Sequence, residues 1–200
     1  MSGLKLVEKE TTVDKWAAIS GKWKFTKNGA HYLGPTPSQP APVGLARGSE
    51  RFRDGLICSK VKLSKNAATA GGFFVRFFSP DSPYAIAQIG GWDRAYAIGE
   101  YQPGFGWVAR ASAGALSNLN ISEPHEIKVA VVGQSIKLTV DEVEVLNTTF
   151  SIPLEGTGFG LYAYDDAPVE FTETKIVGNP PKIFVIMPFA EPFDTHFTEK

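Results

Sequence analysis

The stretch Gly71–Phe78, Gly-Gly-Phe-Phe-Val-Arg-Phe-Phe, decides the fold because aromatic side chains occupy both of its faces. Alternation along a strand puts residues 73, 75 and 77 on one face and residues 74, 76 and 78 on the other. A strand of this kind is typical of the centre of a sheet that is covered on both sides. Arg76 interrupts the apolar pattern. We expect its guanidinium either to reach solvent over its neighbours or to face a ligand on a concave sheet.

Further runs of alternating residues surround this stretch and predict one strand after another. Turn signals separate them at roughly 8–12-residue spacing, which is typical of a β-sandwich or barrel. The predicted strands are a segment around Trp23 and Phe25, followed by residues 49–52, 55–63, 72–78, 84–90, 95–101, 106–111, 125–132, 135–141, 144–150, 158–164 and 169–177. No sustained helical periodicity precedes residue 190. We therefore predict an all-β fold in which two antiparallel sheets face each other.

Two segments near the start of the chain have a less regular pattern. Residues 13–19, around Trp16, are compatible with one helical turn or with a short strand. The proline-rich segment 33–42 cannot join a sheet ladder except at an edge. We expect it to form a surface loop or a cover over a sheet edge.

Composition limits the function classes that the chain can belong to. The chain has 200 residues, a formal net charge of −1 and a single cysteine, Cys58. The balanced charge, without a basic cluster, gives no support for nucleic-acid binding. No apolar run is long enough to cross a bilayer, and residues 1–10 lack the pattern of a signal peptide. We therefore expect a cytoplasmic protein without a membrane or nucleic-acid partner.

The composition changes after the last predicted strand. Residues 178–181 (Gly-Asn-Pro-Pro) are typical of a linker. Residues 182–189 are almost continuously apolar, which is typical of a strand buried in a parallel sheet, and Glu191–Asp194 has the pattern of a helix start. We interpret residues 182–200 as a short βα fragment that begins a second α/β domain continuing beyond Lys200.

The order and spacing of several motifs resemble a known family over residues 14–177. The motifs are Trp16, Gly21–Phe25, Asn28-Gly29, Ala70–Phe77, Tyr84–Gln88, the hairpin Glu126–Asp141, Gly156–Tyr164 and Val169–Phe171. Together they resemble concanavalin A-like lectin/glucanase domains of the laminin-G-like and keto-disaccharide-hydrolase-like branch. The resemblance implies a curved two-sheet jelly-roll sandwich over residues 1–177. It also implies that the concave face or the rim loops hold carbohydrate.

The resemblance does not extend to the catalytic residues of the glucanases. Those enzymes carry an E-x-D-x-x-E strand, in which alternation places the nucleophile and the acid/base on one face. The nearest candidate here is Asp141–Glu144, which lacks that pattern and has the composition of a hairpin tip. The three histidines are far apart in sequence, and no calcium loop or zinc motif is present. We predict no catalytic residue, metal or cofactor.

Two neighbouring segments contain the best candidates for ligand binding. Gly90–Tyr96 and Glu100–Trp107 combine aromatic, acidic, basic and amide side chains. Aromatic rings can stack on the apolar faces of sugars, while charged and amide groups bond to hydroxyls. The alternative is that the aromatics pack the second sheet and Asp93-Arg94 caps a turn. The predicted ligand-binding residues are Arg76, Gln88, Trp92, Asp93, Arg94, Tyr96, Tyr101 and Trp107.

A second resemblance is confined to the end of the chain. Ile183–Phe189 and Glu191–Asp194 resemble the first strand and loop of TIR-like and nucleoside-deoxyribosyltransferase-like domains. Such domains bind or cleave nucleotides such as NAD. The resemblance implies a β-sandwich sensor fused to a nucleotide-acting effector, an arrangement that resembles bacterial anti-phage defence proteins.

These observations favour a non-catalytic recognition module, or sensor, that binds a carbohydrate or another small molecule. Two alternatives remain open at this point. The sandwich could be a structural module that makes a homo-oligomer of the effector. It could also be a glycosidase of unusual type, which requires two carboxyl groups about 5–10 Å apart in a groove.

Overall fold

The computed structural model describes residues 10–13, 15–39, 41–64 and 68–178. Their strands are β1 (Glu10–Thr12), β2 (Trp16–Ser20), β3 (Trp23–Thr26), β4 (Gly29–Tyr32), β5 (Val43–Gly48), β6 (Gly55–Leu63), β7 (Ala70–Phe77), β8 (Tyr84–Gly90), β9 (Arg94–Gln102), β10 (Gly106–Ala115), β11 (His125–Val132), β12 (Ser135–Val140), β13 (Val143–Thr149), β14 (Gly158–Tyr164) and β15 (Val169–Gly178). One short 3-10 turn, Leu116–Asn118, is the only helical element among the described residues. The all-β prediction is confirmed.

The strands form two antiparallel sheets that pack face to face. The front sheet has the order β10-β9-β8-β7-β14-β5-β2. The back sheet has the order β13-β12-β11-β6-β15-β4-β3, and β1 also pairs with β15. Glu10 lies opposite Val177 in that last pair, so the first and last described strands are neighbours. The predicted two-sheet antiparallel sandwich is therefore confirmed.

The main core lies between the sheets. Alternation directs every second side chain of each strand into this layer, and most of these side chains are fully buried. On the front sheet they include Phe73, Val75, Ala85, Ala87, Ile98 and Leu161, and on the back sheet Ile57, Val61, Ile127, Val129, Leu138 and Phe171. On the front sheet, the side chains that alternate with these core residues point to its outer face, which we call the front face.

Strand β7 departs from the predicted alternation at Arg76. The backbone of Arg76 has a φ of 59°, and the register between β7 and β14 shifts between Gly158 and Gly160. Such a β-bulge places one extra residue in the strand and changes the direction of the next side chain. Phe77 therefore joins Phe74 on the front face. The prediction that Phe77 shares a face with Phe73 and Val75 is wrong.

Most predicted strands match the observed ones to within a few residues, but one was placed too late. The predicted strand at 49–52 is a loop, and β5 occupies Val43–Gly48 instead. Phe52 is buried against Phe159, with ring centres 5.2 Å apart. The apolar residue that favoured a strand at 49–52 is thus one aromatic side chain that anchors a loop to the core. Residues 16–20 form a strand rather than a helical turn.

The predicted linker and second domain lie almost wholly outside the described residues. Gly178 is the last residue of β15, and residues 179–200 are not described. The βα fragment and its TIR-like character therefore stay predictions. No helix among the described residues is long and apolar enough to cross a membrane.

Candidate ligand-binding face

Aromatic side chains fill the centre of the front face. An outer sheet face that meets solvent is usually polar. Here it carries a second hydrophobic cluster, separate from the main core, which we call the front cluster. Its rings are Phe74, Phe77, Tyr84, Tyr101, Trp107 and Tyr162.

Trp107 holds the front cluster together. Its ring meets those of Tyr84, Tyr101 and Tyr162 edge-on, at centroid distances of 5.6, 5.3 and 5.9 Å. Trp107 lies on β10 and Tyr162 on β14, four strands away, which is about 19 Å on a flat sheet. Side chains of this size cannot span that distance, so the sheet must curve towards the front face. The front face is therefore concave, and its own rings occupy its floor.

The tyrosines at the bottom of the front cluster are nearly inaccessible. Tyr84 is 4 % exposed and Tyr162 is 2 % exposed. Burial raises the pKa of both hydroxyl groups well above the usual value, and the neighbouring Tyr101 adds to the effect at Tyr84. Both hydroxyls are therefore neutral at physiological pH. The rings at the top of this layer are the more accessible ones, and Tyr101 and Trp107 are partly exposed.

Trp92 forms a second aromatic element at the edge of the front face. It belongs to the turn between β8 and β9, where Gly90, Gly91, Trp92 and Asp93 have φ values of 71°, 76°, 51° and 56°. A bulky residue in this left-handed region is strained by about 1–3 kcal/mol. The turn folds the indole back over β9, where its Cη2 atom lies 2.7 Å from the position that a Cβ on Gly99 would take. The ring remains 40 % exposed.

Gln88 supports this turn from below. It alternates with Tyr84 and Ile86 on the front face of β8, but it is only 1 % exposed. Its Nε2 donates a hydrogen bond of 2.8 Å to the carbonyl oxygen of Gly90. Its Oε1 is buried without a partner. Gln88 thus holds the turn that carries Trp92 and is covered by it.

The structure separates the other predicted site residues from this group. Arg76 points to one end of the sandwich, where its Nη2 donates to Asp54 Oδ1 and to the Gly133 carbonyl oxygen, both at 2.8 Å. Burial lowers the pKa of this guanidinium, and the hydrogen bond that it donates to Asp54 opposes that shift. The guanidinium of Arg76 is therefore engaged by Asp54 and Gly133, and its assignment to a ligand stays a prediction.

Three more predicted residues lie in or beyond the Trp92 turn. Tyr96 packs against the main core. Asp93, in the turn, and Arg94, the first residue of β9, are both exposed beside Trp92. Their assignment to a ligand stays a prediction, as does that of Gln88, Trp92, Tyr101 and Trp107.

Carboxylates are nearly absent from the front sheet. Glu100 is the only acidic residue in its seven strands, and it faces the sandwich interior with no exposed surface. Ser151 donates to it through its main-chain nitrogen at 2.6 Å and through its hydroxyl. Glu142 and Glu144, the sequence candidates for catalysis, lie on the opposite sheet in ion pairs with Lys128 and Lys137. The described residues show no group of histidine, cysteine and acidic side chains that could hold a metal.

No protein-family model and no curated protein matches the sequence. Solved structures do match the fold. The carbohydrate-binding module CBM66 from Bacillus subtilis superposes with a TM-score of 0.67 at 18 % identity, covering 82 % of this chain and 96 % of that one. A β-glucanase from Bacillus licheniformis gives a TM-score of 0.61 at 14 % identity, covering 86 % and 98 %. The chain has their jelly-roll fold.

A third similar structure, a Bacillus subtilis protein with a galectin-like fold, gives a TM-score of 0.59 at 10 % identity and covers 87 % of this chain and 96 % of that one. The expected lectin/glucanase-like fold is thereby confirmed. Because one of these proteins is a binding module and another is a hydrolase, the fold does not decide between binding and catalysis. Nothing among these similarities supports the TIR-like second domain.

Proposed function

We propose that the sandwich is a carbohydrate-binding module that holds an oligosaccharide against its front face without cleaving it. The observation that carries the proposal is the placement of Trp92. A strained backbone keeps a large ring exposed above a glycine, at the edge of a concave aromatic surface. Strain of this kind persists only where the surrounding structure holds it, and it clusters at ligand sites.

The chemistry of the front face suits a sugar. Trp92, Tyr101 and Trp107 offer partly exposed rings that can pack on the apolar faces of pyranose or furanose units. The filled floor of the groove leaves no deep pocket under these rings. We therefore expect a shallow binding mode, in which an oligosaccharide crosses the strands rather than inserting one unit. The similarity to a carbohydrate-binding module supports this choice of ligand.

The distribution of carboxylates argues for binding without hydrolysis. Glycosidases place two carboxyl groups about 5–9.5 Å apart on either side of the bond that they cleave. The single acid in the front-sheet strands, Glu100, is sealed inside the sandwich. Asp93 in the turn has no acidic partner within the neighbouring strands.

The test is a glycan array followed by calorimetric titration of the saccharides that bind. We expect Trp92→Ala and Trp107→Ala each to weaken binding tenfold or more, which corresponds to about 1.4 kcal/mol. Phe105→Ala is the matched control, because that ring is 86 % exposed at the β9–β10 turn and lies outside the front cluster. Full affinity in both tryptophan variants would refute the proposal. Release of shorter saccharides during incubation would show an enzyme instead.

The coupling to a nucleotide-acting effector is a separate proposal that rests on residues 183–194 alone. It suggests a sensor in which saccharide binding alters NAD or nucleotide turnover by the parent protein. Turnover that is the same with and without a bound saccharide would exclude this coupling. The proposal of a binding module does not depend on that result.

A further inference from the structure

We infer that the saccharide is anionic, and that Arg47 and Lys15 hold its carboxylate or sulfate group at the edge of the front face away from Trp92. This inference rests on the proposed function and makes it more specific. It starts from the register of the front sheet.

One row of residues, paired from strand to strand, joins Arg47 to Gly99, the residue that Trp92 covers. Five residues lie opposite one another in succession across β5, β14, β7, β8 and β9, namely Arg47, Gly160, Phe74, Ile86 and Gly99. Trp92 covers the last of them. Arg47 and Gly99 are separated by four strand spacings, which is about 19 Å on a flat sheet and shorter on a curved one. A ligand that crosses the strands from Trp92 therefore meets Arg47 at its other end.

Arg47 is available for such a ligand. It points to the front face, because its neighbour Ala46 is in the main core, and it is partly exposed. Arg47 and Lys15 line one cleft of about 230 Å³, together with Ser49. Among the described residues neither cation has a carboxylate partner, whereas Arg53, Arg76 and Arg110 are ion-paired. The acid nearest to Arg47 in sequence, Glu50, is exposed and accepts a hydrogen bond from Ser49 Oγ at 3.3 Å.

The charge of the front sheet favours an anion. Its seven strands contain four arginines and one acid, Glu100, which is buried and ion-paired with Arg110. The positive charge of Arg47 is therefore not compensated by another side chain on the front face. A guanidinium presents a planar fork of donors that matches carboxylate and sulfate oxygens. The middle of the row, where the ring of Phe74 covers Gly160, is apolar and suits the faces of uncharged sugar units.

The experiment compares matched acidic and neutral probes by calorimetric titration. The probes are tetragalacturonate with its methyl ester, and sulfated with unsulfated dextran oligosaccharides. We expect at least one acidic probe to bind at least tenfold more tightly than its neutral counterpart, and that preference to weaken as salt rises. Arg47→Ala should abolish the preference and leave the neutral probe unaffected. Lys62→Ala, which removes an exposed cation from the back sheet, should leave the preference intact.

The outcomes separate this inference from the proposed function. Equal binding of acidic and neutral probes that Trp92→Ala weakens would overturn the inference and leave the carbohydrate-binding function in place. A preference for acid that survives in Arg47→Ala would overturn the assignment of the anion site. Absence of binding by these probes and by every saccharide of the array would overturn both.

Discussion

Gly99 shows how a single missing side chain shapes the candidate site. The indole of Trp92 occupies the space that a Cβ at Gly99 would fill, at 2.7 Å from its Cη2 atom. Real Cβ atoms do not approach so closely, so even a methyl group displaces the ring. The contact is with the far end of the side chain, and the backbone of β9 can therefore stay in place.

We accordingly predict that Gly99→Ala displaces Trp92 while the sandwich stays folded. Tryptophan emission should shift to the red as the indole becomes more exposed, and saccharide affinity should fall about as far as in Trp92→Ala. A double-mutant cycle supplies the control. In the Trp92→Ala background, Gly99→Ala should cause no further loss of affinity, and an additive loss would show that Gly99 acts on the ligand by another route.

Arg76 is a buried cation, and the one carboxylate that pairs with it among the described residues, Asp54, is half exposed. Its side chain is 2 % exposed, against 49 % for Asp54, and its Nε and Nη1 atoms have no hydrogen-bond partner. Removing the partner of a buried charge costs more than removing the charge itself, because the remaining ion lacks compensation. The two halves of this pair should therefore respond unequally to substitution.

For Asp54→Ala we expect a loss of about 3 kcal/mol in the free energy of unfolding, because the guanidinium of Arg76 stays buried. Arg76→Met keeps the apolar stem and removes the charge, so it should cost about 1 kcal/mol or less. Urea denaturation of both variants measures the difference. The physical account fails if Arg76→Met is the more destabilised of the two.

At the scale of strands, patterns in the sequence predict much of the fold and little of the site. Alternation located β6, β8, β11 and β14 to the residue, because each of these strands has a regular pattern bounded by clear turn signals. It failed at Arg76, where a bulge reverses the direction of the following side chains. It also missed β5, whose short apolar run is interrupted by glycine and arginine.

The site is harder to predict because it depends on register between strands that are far apart in sequence. Trp92, Tyr101 and Trp107 were proposed from their local composition. Arg47 was not, since its position opposite Gly160 follows from pairing across more than a hundred residues. The left-handed turn that aims Trp92 at Gly99 likewise depends on tertiary packing, although the pair Gly90-Gly91 is a local signal of unusual backbone geometry.

Glu100 connects strand β9 to the loop between β13 and β14. Its carboxylate accepts hydrogen bonds from the main-chain nitrogen and hydroxyl of Ser151 and from Gln102 Nε2, the last at 3.0 Å. The carboxylate is fully buried. Removing it, or removing its donors, therefore leaves buried polar atoms without hydrogen-bond partners, which is costly in an apolar interior. This contact joins β9 of the front sheet to the segment that follows β13 of the back sheet.

We predict that Glu100→Ala lowers the free energy of unfolding by about 3 kcal/mol, because it leaves the Ser151 main-chain donor and Arg110 without a buried acceptor. Ser151→Ala removes only the hydroxyl and should cost about 1 kcal/mol. Thermal or urea unfolding can rank the two variants. Equal stability of Glu100→Ala and the parent chain would contradict the role assigned to this carboxylate.

The whole molecule should lose stability at alkaline pH because of its buried tyrosines. Burial raises the pKa of Tyr32 to about 12 from a usual value near 10, and raises those of Tyr84 and Tyr162 further. Folding thus favours the protonated hydroxyls. Their stabilising contribution is complete below about pH 10, where the unfolded chain is also protonated, and it is lost as the pH rises through the folded pKa values.

We therefore expect three of the six tyrosines not to ionise below about pH 11 in the folded protein. Ultraviolet absorbance of tyrosinate during a pH titration measures the number. The denatured chain is the control, in which all six should titrate together near pH 10. Ionisation of all six in the folded protein near pH 10 would show that the front cluster is open to water.

The pairing of β1 with β15 has a mechanical consequence. Glu10 lies opposite Val177, so the two strands enter this pair from the same end. A force that pulls the two ends of the sandwich apart therefore opens the pair like a zipper, and its hydrogen bonds break one after another instead of together. The seam is short, with Thr12 opposite Lys175 as its last pair. Under tension β1 should peel away at low force, while the seven strands of the front sheet, none of which pairs with β1, stay together.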